Sequence, residues 1–220
     1  MNVLEDAGGL DELRRLGARS IPVLSRGDAW VFAQNIASVV EFLNLDEAVG
    51  PVLSPDQLVG RLDAFLACAA RIVRQMPDSH LATEVPNRPR AYKILAHHIF
   101  RIPEVFLLVA RGATLTHESL GVGPTPEMAG FADIAAFGET VRADLAAWWA
   151  AQADKSGTQR VQTYYGEQSL HEVLERTTWH SGQHVRQWHM LLGMAGIAPD
   201  GPLGDADFKD LPMPSSVWDG

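Results

Sequence analysis

The stretch "ERTTWHSGQHVRQWHML" (Glu175–Leu191) carries three histidines, His180, His184 and His189. If it is helical, His180 and His184 lie one turn apart, about 6 Å along the axis. Val173, Thr177, His180, His184, Gln187 and Leu191 are then related by steps of three or four and form one stripe. The stripe begins and ends apolar, so it is expected to face a core. Two imidazoles at that spacing can share one cation. His189 falls off the stripe, beside Val185 and Arg186, and is read as a non-ligand.

A third ligand has to come from elsewhere. "AYKILAHHIFRIPEVFLLVA" (91–110) reads as a helix that Pro103 is expected to bend. His98 shares a face with Ile94, Ile102 and Val105; His97 shares one with Lys93, Arg101 and Glu104. Periodicity therefore turns His98 inward and His97 outward, with His97 as the alternative ligand. Hydrogen-bonded core histidines are the competing reading, but three buried imidazoles without a cation leave several nitrogens to satisfy, which is costly. The pattern H-x-x-x-H has Ser181 where a zinc protease carries its glutamate base, so protease chemistry is not expected. Gln187, one turn past His184, either orients that ring or bonds within the core. Trp188 is a candidate pocket wall, and Trp179, on the face of Glu172, Glu175 and Gln183, a rim or partner-surface residue. His171, in a first helical turn, and the loop residues His80 and His117 are read as non-ligands, and Cys68 as packing.

Outward from this pair of segments, the chain reads as mainly helical. Ser54–Met76 opens with Ser54, Pro55 and Gln57, a capping box, and sets Leu58, Leu62, Phe65, Ala69, Ile72 and Met76 on one face. A third long helix covers 131–152, and the fourth starts at Ser169 with Glu172 completing a second box. Proline- and glycine-rich loops (77–90, 111–130) separate them, long enough for a four-helix bundle with crossover connections. Residues 1–46 look different: "MNVL" as a short strand, a helix at 8–17, strands in "SIPVLS" and "AWVFA" around the turn "RGD", then a helix with Ile36, Val39, Val40 and Leu43 on one face. This is a small β-α-β-β-α segment. The expected division is 1–46, 50–196 and a surface-wrapping tail at 197–220.

Composition narrows the function. Eighteen Lys and Arg face 27 Asp and Glu, a formal charge of -9, with no long basic run. Nucleic acid is therefore not an expected partner. No run of about 18 apolar residues predicts a membrane span, and the acidic N-terminus lacks a secretory apolar core. A single cysteine excludes an intrachain disulfide and fits a reducing cytoplasm.

"ILAHHIF" (94–100) and "WHSGQHVRQ" (179–187), set in four helices, resemble the DinB/YfiT-like metalloenzyme superfamily over roughly residues 50–196. That resemblance implies a divalent ion held by His98, His180 and His184, a bundle with crossover connections, and a homodimer. It also implies a small-molecule substrate and, in some members, a low-molecular-weight thiol such as glutathione as co-substrate. All-imidazole sites suit zinc, nickel, iron and copper alike, and manganese belongs to the same candidate set. "GARSIPVLSRGDAWVFAQ" followed by "VVEFL" resembles the C-terminal half of a glutaredoxin, a partial thioredoxin-like segment. Pro22 then matches that family's cis-proline beside the glutathione site. The redox cysteine motif is missing, so thiol–disulfide exchange is not expected. The expectation is a divalent-metal-dependent thiol S-transferase; the alternatives are a metal-dependent hydrolase and a non-catalytic metal-binding dimer.

Overall fold

The computed structural model describes residues 6–18, 21–33, 36–46, 50–86 and 88–218. Two compact units divide the chain, Met1–Gly50 and Pro51–Gly220. The first contains α1 (Ala7–Arg15), β1 (Val23–Arg26), β2 (Ala29–Phe32) and α2 (Ile36–Leu43). Asp6 caps α1 by accepting from the Gly8 amide at 2.9 Å. The strands form an antiparallel hairpin in the register Val23–Phe32 to Arg26–Ala29, turning at Gly27, whose φ of 65° suits glycine. The Ile21–Pro22 peptide is cis. The strand expected at "MNVL" lies outside the described residues. The apolar face expected on α2 is only partly covered, with Ile36 and Leu43 exposed.

The second unit is built on four long helices: α3 (Pro55–Gln75), α4 (Tyr92–Ala110), α6 (Phe131–Ala151) and α7 (Leu170–Met194); a short α5 (His117–Gly121) precedes α6. Both expected capping boxes form. Ser54 and Gln57 exchange side-chain bonds with each other's amides at the start of α3, and Ser169 and Glu172 do the same at the start of α7. α6 begins differently: Asp133 accepts from the Gly130 amide, and Asp78, from the short turn after α3, accepts from the Phe131 amide. Pro103 is accommodated inside α4 without ending it.

Each of α3 and α4 packs against both α6 and α7, whereas α3 and α4 touch sparsely. α3 thus lies diagonally from α4 and α6 diagonally from α7, while α4 and α6 are neighbours, so the connections α3–α4 and α6–α7 cross the arrangement. The face expected on α3 is the face that is buried: Leu58, Leu62, Phe65, Ala69 and Ile72 are inaccessible to solvent. Each such large apolar side chain contributes about 1.5–3 kcal/mol of burial. Two contacts require glycine. A Cβ on Gly138 would lie 2.3 Å from the Phe100 ring, and one on Gly182 would lie 2.6 Å from the Phe65 ring. Gly182 stands between His180 and His184, so the α3–α7 approach helps set the height of both histidines.

Two features depart from the expected pattern. The segment between α6 and α7 carries an antiparallel hairpin, β3 (Arg160–Thr163) and β4 (Gly166–Ser169), in which only a few alternate side chains are buried. The loop expected at 111–130 contains α5, capped reciprocally by Thr116 and Ser119. The tail, with a short α8 (Asp205–Phe208), is tied to α3 by Gln75 to Ala198 and Arg71 to Gly201, and to α7 by Arg186 to Pro214. No described helix is long and apolar enough to cross a membrane.

Candidate metal centre

α4 and α7 are neighbours, and their contact brings His98 beside His180 and His184. The ring centroids are 5.7 Å apart for His98–His180, 5.0 Å for His98–His184 and 4.8 Å for His180–His184. One ligand nitrogen from each ring lies within 4.8 Å of the other two. His184 is buried and the other two are partly so.

The hydrogen bonds around His184 define which nitrogen is available. The Gln187 amide nitrogen donates to the Val217 carbonyl at 3.0 Å, which leaves the amide oxygen facing His184. His184 Nδ1 lies 2.6 Å from that oxygen and so carries the proton. Nε2 therefore holds a lone pair, and it is buried without any partner. A native structure rarely leaves a buried polar atom orphaned. A cation satisfies the unprotonated nitrogen directly, and an orienting partner on the other nitrogen is the usual arrangement for a metal-binding histidine. His98 is fixed in part by the Leu120 backbone just before Gly121, the last residue of α5. The three imidazoles therefore fit a divalent ion by donor type and spacing, and His184 also by protonation and orientation.

Burial keeps all three rings neutral. It pushes His98 down to about 3, helped by His184 and Arg90, and His184 down to about 4, against the opposing bond to Gln187. His180 is held well below the ordinary range, first by burial and then by the other two rings and Arg176. His97 sits near 4, again chiefly by burial. The sign of the pH dependence follows. These histidines bind protons less readily folded than unfolded, where the value is about 6.5. Their contribution is intact above that value and is lost as pH falls through 6.5 towards 4 and 3. Each pH step across the window costs about 1.4 kcal/mol per such histidine. Urea unfolding of metal-free protein should give a clearly lower stability at pH 5 than at pH 7; a flat profile would show that the rings are not buried neutral.

His97 corrects the sequence reading. It was expected on a solvated face, but it is 4% exposed and stacks on Phe137 of α6 with centroids 5.2 Å apart. The charges that suggested solvent satisfy one another: Arg101 pairs with Glu104 at 2.5 Å and donates to the Ser119 carbonyl. Conversely Ile94, expected inward with His98, is 40% exposed. Trp188, the candidate pocket wall, is a core residue. It is fully buried, packs on Tyr92 and Phe131, and donates to the Ile72 carbonyl at 3.1 Å. Trp179 is partly exposed against His180.

The remaining histidines stand outside the cluster: His171 bonds to Leu53, His80 stacks on Tyr92, His117 meets Tyr164, and His189 lies 3.7 Å from Cys68 Sγ. Burial pushes the Cys68 thiol up, which suits packing rather than reactivity. Pro22 belongs to the first unit. An open cleft of about 430 Å³ between α7 and the tail is lined by Arg186, His189, Phe208 and Lys209, and none of the three clustered histidines borders it.

Two residues of the site escaped the sequence reading. The charges bearing on the three rings are guanidinium groups, Arg90 on all three and Arg176 on His180. Arg176 precedes His180 by four residues, a spacing that could have drawn attention to it. No protein-family model matches the chain, and no curated protein matches it significantly.

Proposed function

We propose that His98, His180 and His184 hold a divalent transition-metal ion with a coordination position left open, in a DinB-like metalloenzyme that transfers a low-molecular-weight thiol of the glutathione type. The observation that carries the metal reading is the buried, unpartnered Nε2 of His184, aimed by Gln187 among two further imidazoles. The resemblance of 94–100 and 179–187 to the DinB/YfiT-like superfamily supports the fold assignment. The glutaredoxin-like 17–43 supports thiol chemistry.

The ion would supply a Lewis acid that lowers the pKa of a thiol at the open position. His184 and His98 keep fixed orientations through Gln187 and Leu120. Thr177 and Ser181 turn their hydroxyls to backbone carbonyls, of Val173 and Ile99, and so do not compete for the imidazoles. Hydrolysis is the weaker reading because it needs a base beside the site, and the charges bearing on the rings are arginines.

Elemental analysis of protein purified without a polyhistidine tag tests the metal: about one ion per chain is expected. A protein that holds none, and whose melting temperature ignores added zinc, nickel or manganese, has no such site. A glutathione-dependent change in the cobalt-substituted spectrum then tests the thiol. Gln187→Ala should weaken metal binding about ten- to a hundredfold, the usual effect of losing a ligand's orienting partner. Gln187→Glu keeps an acceptor for Nδ1 and should retain most of the affinity; equal losses in both variants would assign Gln187 a packing role only.

A further inference from the structure

Arg176 lies one turn ahead of His180 on α7, so the two side chains are neighbours on the helix surface. It is partly buried. Among the described residues its guanidinium is held by neutral groups. Nη2 donates to the Tyr164 hydroxyl at 3.2 Å, the Tyr165 ring lies 4.9 Å from Cζ, and the Trp179 ring lies 5.8 Å from it. Five other arginines of the same unit, Arg74, Arg101, Arg111, Arg142 and Arg160, pair with a carboxylate, while Arg61, Arg71 and Arg186 donate to carbonyl or amide oxygens. Among the described residues no carboxylate pairs with Arg176.

A guanidinium stacked on aromatic faces loses little freedom when it meets a ligand, and its remaining N–H groups form a fork that matches a carboxylate. Arg90 adds a second positive charge near the same three rings. Within a chain of net charge -9, the charged side chains that bear on the three rings include these two cations. A divalent ion would raise that charge further.

We propose that Arg176 is the receptor for a carboxylate on the molecule that occupies the three-histidine site, so that the site selects a carboxylate-bearing small molecule over its neutral counterpart. This rests on the metal reading above. For a thiol ligand, the sulfur takes the open position of the ion and the carboxylate reaches back one helical turn to Arg176. The sulfur would bind as thiolate, displacing water from the ion and releasing its proton to solvent; the carboxylate–guanidinium contact is non-covalent recognition.

The test uses the full chain loaded with cobalt, titrated with 3-mercaptopropionate and with its uncharged amide, and followed by the visible cobalt bands. The carboxylate should bind about ten- to a hundredfold more tightly than the amide, as expected for a charge-assisted pair. Arg176→Gln should erase that preference while affinity for the amide persists. Cobalt affinity itself should hold or rise, because a cation beside the ion is removed. Arg176→Lys, which keeps the charge and loses the fork, should show an intermediate preference. Equal binding of acid and amide to the unmodified protein, or an undiminished preference in Arg176→Gln, overturns the assignment of Arg176 and leaves the metal centre standing. Failure of cobalt to bind at all overturns both.

Discussion

His184→Ala is expected to reduce metal affinity by orders of magnitude while the helices stay folded. His184 supplies the one ligand nitrogen that is both buried and without a partner, and its ring is the best oriented of the three, through Gln187. Removing it leaves two imidazoles from different helices, and two neutral nitrogens cannot compete with water for a divalent ion as three do. The stability readout should follow. A ligand present at a hundred times its dissociation constant stabilises the folded state by about 2.7 kcal/mol, so added zinc should raise the melting temperature of the unmodified protein and not of the variant. Far-ultraviolet circular dichroism should be unchanged, since alanine favours helix. Stoichiometric metal in purified His184→Ala would refute the site.

The second large effect separates packing from chemistry on the same helix. Trp188→Ala should destabilise the protein by about 3–5 kcal/mol, the usual range for deleting a buried aromatic side chain. Trp188 is wholly buried against Tyr92 and Phe131, and its indole N–H meets the Ile72 carbonyl in α3. One side chain therefore joins α7 to α3, α4 and α6. At about 2–4 °C per kcal/mol for a chain of this size, the melting temperature should drop by roughly 6–20 °C. Below that temperature the variant should still bind one metal ion, because Trp188 supplies no ligand. A variant that kept its stability but lost metal would return Trp188 to the site.

These two variants mark how far the sequence could be read. Helix ends were legible because their signals are local: Ser54 with Gln57, and Ser169 with Glu172, act within one turn, and both boxes form. The buried stripe of α3 was legible because one apolar face has one plausible destination. The hairpin at 160–169 was not, since its polar residues give little alternation to detect. α4 shows why periodicity misleads on an enclosed helix. The choice of His98 over His97 rested on one face being wet, yet His97 is buried and Ile94 is exposed. A helix covered on several sides has no single inward direction, and Arg101 with Glu104 shows that paired charges do not require solvent.

The sequence by itself determined that His180 and His184 share one helical face, that a third histidine stands on another helix, and that no glutamate follows His180 as a protease base. Helical periodicity and residue identity suffice for each of these. The tertiary structure alone decided that α4 lies against α7, so that residues more than 80 positions apart converge. It also decided that Val217 of the tail orients Gln187, and that Arg176 is held by Tyr164 and Tyr165 of the hairpin. Those contacts join segments with no regular spacing between them, and only the packing of the folded chain makes them neighbours.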